Sequence, residues 1–195
     1  MRQERIIMVS KTKKLVVTGM LCALAYLMTL VMRIPVVLFL RYDSKDMVIA
    51  AGGFLFGPPV AFYISLIVAV AQMLTTSGTG LPGCLMNVIS SCSFACTAAF
   101  FHKRKRTPSG AAAGLLWGWG CMVVVMMLWN YLIAPFYMGT SREAVAKLLL
   151  PAFLPFNLLK GGLNAAGAML LYRPVMAAAR RSRLLQEEED PDAGC

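Results

Sequence analysis

Three polar residues in the apolar segment "LPFNLLKGGLNAAG" are the first candidates for chemistry. Asn157, Lys160 and Asn164 follow one another at spacings of three and four, so on a helix they lie along one stripe. An ionisable side chain within a membrane costs several kcal/mol, so it usually faces a partner, a cavity or a ligand. Asparagine offers donors and an acceptor, whereas a protonated lysine offers only donors. The pattern therefore predicts a polar site inside apolar surroundings.

Two further asparagines and two aspartates lie at other interruptions of the apolar sequence. Asn130 lies in "LWNYLIAP" and Asn87 in "LPGCLMNVISS". Asp43 and Asp46 lie in the mixed-charge stretch "FLRYDSKD". That stretch is either a solvated loop or a lid, since long loops of mixed character often close over sites. The asparagines either line a pocket or hold helices together by hydrogen bonds, and the second reading has most weight for Asn87 and Asn164.

The elements that position these residues are membrane helices. The chain has 195 residues, of which 58% are hydrophobic and 14% charged, against about 25% charged in soluble domains. Several apolar runs reach the roughly 20 residues that a bilayer-crossing helix needs. We expect an all-α integral membrane protein with six transmembrane helices, near 15–32, 47–57, 59–76, 82–101, 111–133 and 151–172. The sequence Gly57-Pro58-Pro59 separates the second from the third, because proline interrupts helical hydrogen bonding.

Charge placement predicts the orientation. Thirteen Lys and Arg residues flank the membrane domain (15–175) on the side of the basic N-terminus 1–14 and the tail 176–195, against five on the other side. By the positive-inside rule both termini are cytoplasmic, in a multi-pass protein of the cell membrane. The net charge of +10 is thereby explained by this topology in the lipid bilayer, and no nucleic-acid partner is expected. Asn87, Asn130 and Asn157 then fall in the outer half of the membrane, and the acidic end of the tail is expected to be disordered.

Catalytic and metal-binding patterns are absent from the sequence. The six cysteines show no metal-ligand spacing, the single histidine has no catalytic company, and there is no Walker A loop or hydrolase motif. We therefore expect no enzyme, no cofactor and no metal site. All nine acidic residues lie outside the apolar runs, which disfavours a proton-coupled pump. Energy for uphill transport would have to come from another source.

The order of several short motifs resembles the riboflavin-specific S components of energy-coupling factor (ECF) vitamin importers. These motifs are "FLRYDSKD", "GGFLFGPP", "GLPGCLMNVISS", the "NY" of the fifth run and "LPFNLLKG", and the similarity covers about residues 15–175. The resemblance implies six helices, an outward-facing vitamin pocket and a lid formed by the loop near 33–46. It also implies docking on a transmembrane coupling (T) protein that carries two cytoplasmic ATPases, in a bacterial plasma membrane.

The resemblance also implies roles for particular residues. Asn130, Asn157 and Lys160 would meet the polar edge of the isoalloxazine ring, whose carbonyls and N3–H need both donors and acceptors. Leu40, Arg41 and Asp43 would meet the ribityl chain or the flank of the ring. We include Asn87 among the substrate-binding candidates, and Phe39, Phe153 and Phe156 as apolar walls of the kind usual in ligand pockets. Arg41 departs from the family pattern and would suit a phosphorylated flavin.

A second feature of the family concerns docking. S components often carry Ala-x-x-x-Ala on the first helix, and this chain has Gly19-x-x-x-Ala23, which permits equally close helix approach. Packing inside the subunit is an equal alternative for this pair. Two rival functions also stay open: an S component for another vitamin, and a non-transport membrane assembly or regulatory protein in which the asparagines only join helices.

Overall fold

The computed structural model describes residues 6–7, 11–31, 34–37, 40–75, 80–139, 141–182 and 186–187. Within them the chain forms a helical bundle with two short antiparallel strand pairs. The elements in chain order are β1 (Ile6–Ile7), α1 (Lys11–Val31), β2 (Ile34–Val37), β3 (Leu40–Tyr42), α2 (Lys45–Phe56), α3 (Pro58–Thr75), α4 (Gly80–Arg104), α5 (Pro108–Met138), α6 (Arg142–Leu148), a π-helical turn (Leu149–Phe153), α7 (Leu154–Arg181) and β4 (Gln186–Glu187).

The six predicted helices are present, but they are not equivalent. Five helical segments are long and apolar enough to cross a membrane: Lys11–Val31, Pro58–Thr75, Gly80–Arg104, Pro108–Phe136 and Arg142–Arg181. The helix α2 has 12 residues, which at about 1.5 Å per residue is well short of a hydrocarbon core of about 30 Å. The prediction of six helices is confirmed, whereas a full span is confirmed by length for five of them.

Local sequence explains where several helices begin and end. Thr107 caps α5, since its side chain accepts from the Gly110 amide at 3.1 Å and Pro108 occupies the first turn, a position that suits proline. Between α2 and α3, Gly57 has a φ of 90°, which side chains disfavour. Its amide donates to the Gly53 carbonyl at 2.8 Å. The predicted break at Gly57-Pro58-Pro59 is therefore a tight turn between two helices.

The core is built around α2, and α1 lies at the edge. Nine of the 12 residues of α2 are buried, and α2 packs against α1, α3, α4 and α7. In contrast, only Cys22, Ala25 and Thr29 are buried in α1. The most apolar stretch of α1 is 17% buried, compared with 39% for each of the other candidate spans. The short helix is thus the centre of the bundle, and the first helix keeps most of its surface outside it.

Small residues allow α5 to approach α4 closely. A side chain at Gly114 would collide with the Ala98 carbonyl, and one at Gly118 would collide with the Phe94 carbonyl. These glycines are four residues apart, as are their partners, so they form the small-xxx-small contact typical of membrane helices.

The two strand pairs involve the predicted lid and the chain ends. In the first, β2 pairs with β3 within the loop that follows α1. In the second, Ile6–Ile7 pairs with Gln186–Glu187. The tail expected to be disordered from Gln186 therefore starts with a two-residue strand, and 188–195 lie outside the described residues.

Candidate functional site

A cluster of charged and polar side chains lies inside the bundle, where the chain enters α2. Lys45 and Asp46 each have 0% of their surface exposed, and Asp43 has 8%. Lys45 and Asp46 form the first turn of α2 rather than part of the preceding connection. A solvated loop is therefore the wrong interpretation for Asp43, Lys45 and Asp46. After β3 the chain enters the bundle, and α2 begins there.

Asp43 is held by side chains from three elements. Its Oδ2 lies 2.6 Å from the Lys45 Nζ and accepts a hydrogen bond from the Gln72 Nε2 of α3 at 2.9 Å. Its Oδ1 accepts from the Thr29 hydroxyl of α1 at 3.1 Å. Burial raises the pKa of the Asp43 carboxyl, but attraction to Lys45 and these bonds outweigh it and hold the pKa well below its usual range. Asp43 is therefore a charged junction between α1, α2 and α3.

Asn87 joins this junction to α4. Its Oδ1 accepts a hydrogen bond from the Lys45 Nζ at 3.1 Å. The buried ammonium thus lies between a carboxylate and an amide oxygen. This contact favours the helix-joining role for Asn87.

Asp46 and Lys160 form a second ion pair, between α2 and α7. The Lys160 Nζ lies 3.5 Å from Asp46 Oδ2 and donates to the Ser90 hydroxyl of α4 at 3.2 Å. Asp46 Oδ1 accepts from the Ser91 hydroxyl at 2.5 Å, and its Oδ2 accepts from the Asn164 amide at 3.3 Å. The apolar sequence around Lys160 did not explain its charge. In the structure Asp46 balances that charge, and Ser90 accepts a hydrogen bond from the ammonium.

The predicted polar stripe on α7 is confirmed as a buried face. Asn157, Lys160 and Asn164 are 2%, 8% and 0% exposed. Asn164 also donates to the Asp43 carbonyl at 3.4 Å, so it joins α7 to the start of α2. Asn157 differs, because its amide donates to the Phe153 carbonyl at 2.8 Å, four residues earlier. The stripe thus contains two residues that join helices, Lys160 and Asn164, and one, Asn157, whose described hydrogen bond stays within its own helix.

Asn130 resembles Asn157 in this respect. It is buried on α5, and its amide donates to the Met126 carbonyl at 2.7 Å. Both asparagines therefore have a nitrogen anchored along their own helix. Neither described bond crosses between helices, unlike that of Asn164.

Aromatic side chains supply apolar surface near α7. Phe153 and Phe156 are buried, as expected for walls of a pocket. Trp119 of α5 packs on Gly161, where an added Cβ would collide with the indole ring. The Trp119 indole N–H is buried without a hydrogen-bond partner among the described residues.

Two predicted site residues lie in the lid hairpin. The backbone of Leu40 pairs with Val37, and that of Arg41 pairs with Pro35. The side chains of Leu40 and Arg41, and all of Phe39, are outside the described part of the chain. Their contacts stay predictions.

The pair Gly19 and Ala23 lies on the open face of α1. Both residues are exposed, and no atom lies within 4 Å of a Cβ built on Gly19. Packing inside the subunit, the alternative for this pair, is therefore not how the described chain uses it.

Sequence reasoning missed part of the cluster and misjudged one premise. It did not select Thr29 and Gln72, which are single polar residues in apolar helices, or the adjacent pair Ser90 and Ser91 of α4, and it treated Asp46 as part of a loop. The premise that all acidic residues lie outside the apolar runs is also corrected, because Asp46 belongs to α2, and both Asp43 and Asp46 are buried among helices. Both are paired with lysines, so neither resembles an unpaired proton carrier. The available signal was the unusual occurrence of polar residues within apolar runs.

Comparisons with known proteins agree with this geometry. The family described as "ECF transporter, substrate-specific component" matches residues 13–172. The chain is 32% identical over 162 residues to the riboflavin transporter FmnP of Bacillus subtilis, covering 77% of this chain and 85% of that protein. It is 25% identical to the riboflavin transporter RibU of Staphylococcus aureus, covering 89% and 95% of the two chains.

A solved structure also shares the fold. The S component described under "Structure and mechanism of the S component of a bacterial ECF transporter" superposes with a TM-score of 0.75 at 26% identity, covering 88% of this chain and all of that one. The family match spans most of the membrane domain, including the buried cluster and the α7 stripe. The chain therefore belongs to the substrate-specific components of ECF transporters.

Proposed function

We propose that this chain is the riboflavin-binding S subunit of an ECF importer. The observation that carries the proposal is the buried stripe on α7, where Asn157 and Lys160 lie beside the aromatic residues Phe153 and Phe156. A flavin needs this combination, because its ring is apolar on both faces and polar along one edge. The relatives named riboflavin transporters support the same ligand.

The polar edge of the ring would contact Asn130, Asn157 and Lys160. The amide nitrogens of Asn130 and Asn157 are anchored to their own helices, which leaves the side-chain oxygens suited to accept from the flavin N3–H. Lys160 can only donate, so it would bind a ring carbonyl or nitrogen. Leu40 and Arg41 would approach the ribityl chain from the lid.

Two of the predicted ligand contacts receive a different role in this proposal. The Asp43 carboxylate already accepts from Lys45, Gln72 and Thr29, and Asn87 accepts from Lys45. Because these oxygens are occupied, we assign Asp43 and Asn87 to holding the inner end of the lid. Vitamin contact is then left to the residues of α5, α7 and the hairpin.

The orientation follows from the basic flanks and the chain ends. With both termini cytoplasmic, the hairpin between α1 and α2 lies on the outer side of a bacterial plasma membrane, and the β1–β4 pairing is consistent with both ends on one side. In this arrangement α2 is a half-length helix whose polar N-terminus lies within the bundle. Discontinuous helices of this kind commonly form substrate sites in transporters, and non-helical backbone at such depth is tolerated when protein covers it.

Docking would use the open face of α1. Gly19 and Ala23 are exposed there beside large apolar side chains such as Met20. A transmembrane coupling protein could approach this surface closely, since small residues permit close helix contact. The two ATPases of the complex would supply the energy, because the sequence has no nucleotide-binding motif of its own.

Co-purification tests the ligand directly. Purified from cells grown with riboflavin, the protein should carry flavin absorbance, and the flavin-free form should quench riboflavin fluorescence on titration. Thiamine serves as the control vitamin and should not compete. A preparation that binds no flavin, or that prefers thiamine, would overturn the assignment to riboflavin.

A further inference from the structure

The buried carboxylate of Asp46 lies outside the set of residues assigned to the vitamin. It is completely covered, although it belongs to the first turn of α2. A negative charge near a helix N-terminus is stabilised by the helix dipole. That effect explains why an aspartate is tolerated here, but it does not explain the three polar partners found around it.

These partners hold the carboxylate in one orientation. Ser91 of α4 donates to Oδ1 at 2.5 Å, and Asn164 of α7 donates to Oδ2 at 3.3 Å. The hydroxyl and the amide come from different helices, so both oxygens are fixed with respect to the bundle. The remaining side of Oδ2 faces the Lys160 ammonium at 3.5 Å.

Lys160 has few other sources of negative charge. The helices α3, α4 and α5 contain no Asp or Glu, and the His, Lys and Arg residues of α4 lie at its far end, from His102 onward. Asp43 is nearby, but Lys45 occupies it at 2.6 Å. A buried ammonium needs a charge partner or hydrogen bonds to compensate its lost hydration. Asp46 is the carboxylate that pairs with Lys160 in the described part of the chain.

The ammonium also keeps a donor for a ligand. It carries three N–H donors, and its described partners are Ser90 at 3.2 Å and Asp46 at 3.5 Å. These two contacts fix the position of the nitrogen from α4 and α2. The remaining N–H is then free to bind a group that enters beside Asn157, one turn earlier on the same helix face.

We infer that Asp46, itself held by Ser91 and Asn164, is a positioning residue that aims the Lys160 ammonium at the bound flavin. Asp46 acts through Lys160 and does not contact the vitamin. The inference rests on the proposed riboflavin site. It adds Asp46, from the end of α2 that lies nearest the lid. This residue sets the position of the Lys160 donor on α7.

A double-mutant comparison separates this role from a purely structural one. The variants are D46N, K160M and D46N/K160M, titrated with riboflavin by fluorescence quenching in detergent. Each single variant should bind about tenfold more weakly, the size expected for a bond to a charged group. The double variant should bind within about twofold of K160M, because residues that act as a unit are not additive.

The bound flavin provides an independent signature. The visible absorption band responds to hydrogen bonds at the ring, so D46N and K160M should displace it from the wild-type position in the same direction. S93A is the matched control: the Ser93 hydroxyl donates to the Ile89 carbonyl of its own helix at 2.7 Å. It should change neither affinity nor spectrum.

If D46N does not fold, S91A replaces it in the same comparison. Removing the Ser91 hydroxyl loosens Asp46 and leaves both charges present, so we expect about threefold weaker binding and no further loss in the K160M background. Losses that multiply in the double variant, or a wild-type spectrum in D46N, would overturn the positioning role alone. A wild-type protein that binds no flavin would instead overturn the proposed function on which the positioning role rests.

Discussion

The polar junction at the start of α2, which here means Asp43, Lys45, Asp46 and Lys160, differs from the outer face of α1 in burial, charge and chemistry. The junction contains two carboxylates and two ammonium groups, all at most 8% exposed and paired with each other. The α1 face carries small and apolar residues and is largely open, with Leu15 73% and Met20 67% exposed. The two regions meet at one described hydrogen bond, from Thr29 to Asp43. The difference supports our proposal that ligand recognition and partner docking use separate surfaces.

The largest loss of stability should follow from removing the Lys45 ammonium from the junction. Lys45→Met leaves Asp43 buried without its ammonium, and removing one partner of a buried pair typically costs about 3–5 kcal/mol. Thermal unfolding in detergent should show a strong loss of stability. Lys45→Met with Asp43→Asn should recover part of it, because no uncompensated charge remains. Equal instability in both variants would mean that the charge pair is not what stabilises this region.

A smaller effect is expected from Lys160→Met on the ligand side. The substitution keeps an apolar chain but removes the donor, so riboflavin binding should weaken by at least about 1.5 kcal/mol. Fluorescence quenching measures the affinity, and S93A is again the matched control. Wild-type affinity in Lys160→Met would remove this residue from the site.

The α1 face should respond in the opposite way. Gly19→Leu with Ala23→Leu adds bulk on an exposed surface, so stability should change by no more than about 0.5 kcal/mol. Binding of riboflavin should stay nearly unchanged, while co-purification with the coupling protein and transport by the complex should be lost. Retained co-purification would show that the docking surface lies elsewhere, and a loss of riboflavin binding would show that the two regions are not separate.

The last prediction concerns transport by this chain alone, on which we expect a proton gradient to have no effect. Proteoliposomes that contain this chain alone, supplied with a proton gradient, should not accumulate riboflavin above the external concentration. The buried carboxylates are each paired with a lysine, so they offer no unpaired proton relay. Accumulation driven by the gradient would contradict the separation of binding from energy supply.

Features that depend on local sequence could be predicted, whereas features that depend on how deeply a residue lies in the bundle could not. The stripe of Asn157, Lys160 and Asn164 was predictable, because helical spacing alone places these residues on one face. The burial of Asp43 and Asp46 was not, since it requires α2 to begin inside the bundle. Their charges made a surface loop the simplest interpretation of the sequence.

Partnerships between distant helices were the least predictable part. Thr29 and Gln72 are single polar residues in apolar helices, and nothing in their local sequence identifies Asp43 as the common partner. Asn87 was expected near the ligand, but its oxygen is bonded to Lys45. The six helices followed from composition and the short second helix from the break at Gly57-Pro58-Pro59, whereas the burial of the start of α2 followed from the packing around it.

The order in which the ion pairs can form has a consequence for biosynthesis. Lys45 and Asp43 are two residues apart, so their pair is available as soon as the segment leaves the ribosome. Ser91 is 45 residues beyond Asp46, and Asn164 is 118 residues beyond it, with Lys160 in the same late helix. Translation at about 5–20 residues per second leaves Asp46 without its ammonium for several seconds. A nascent chain that ends before α7 therefore lacks both the ammonium and the amide that hold Asp46 in the folded bundle.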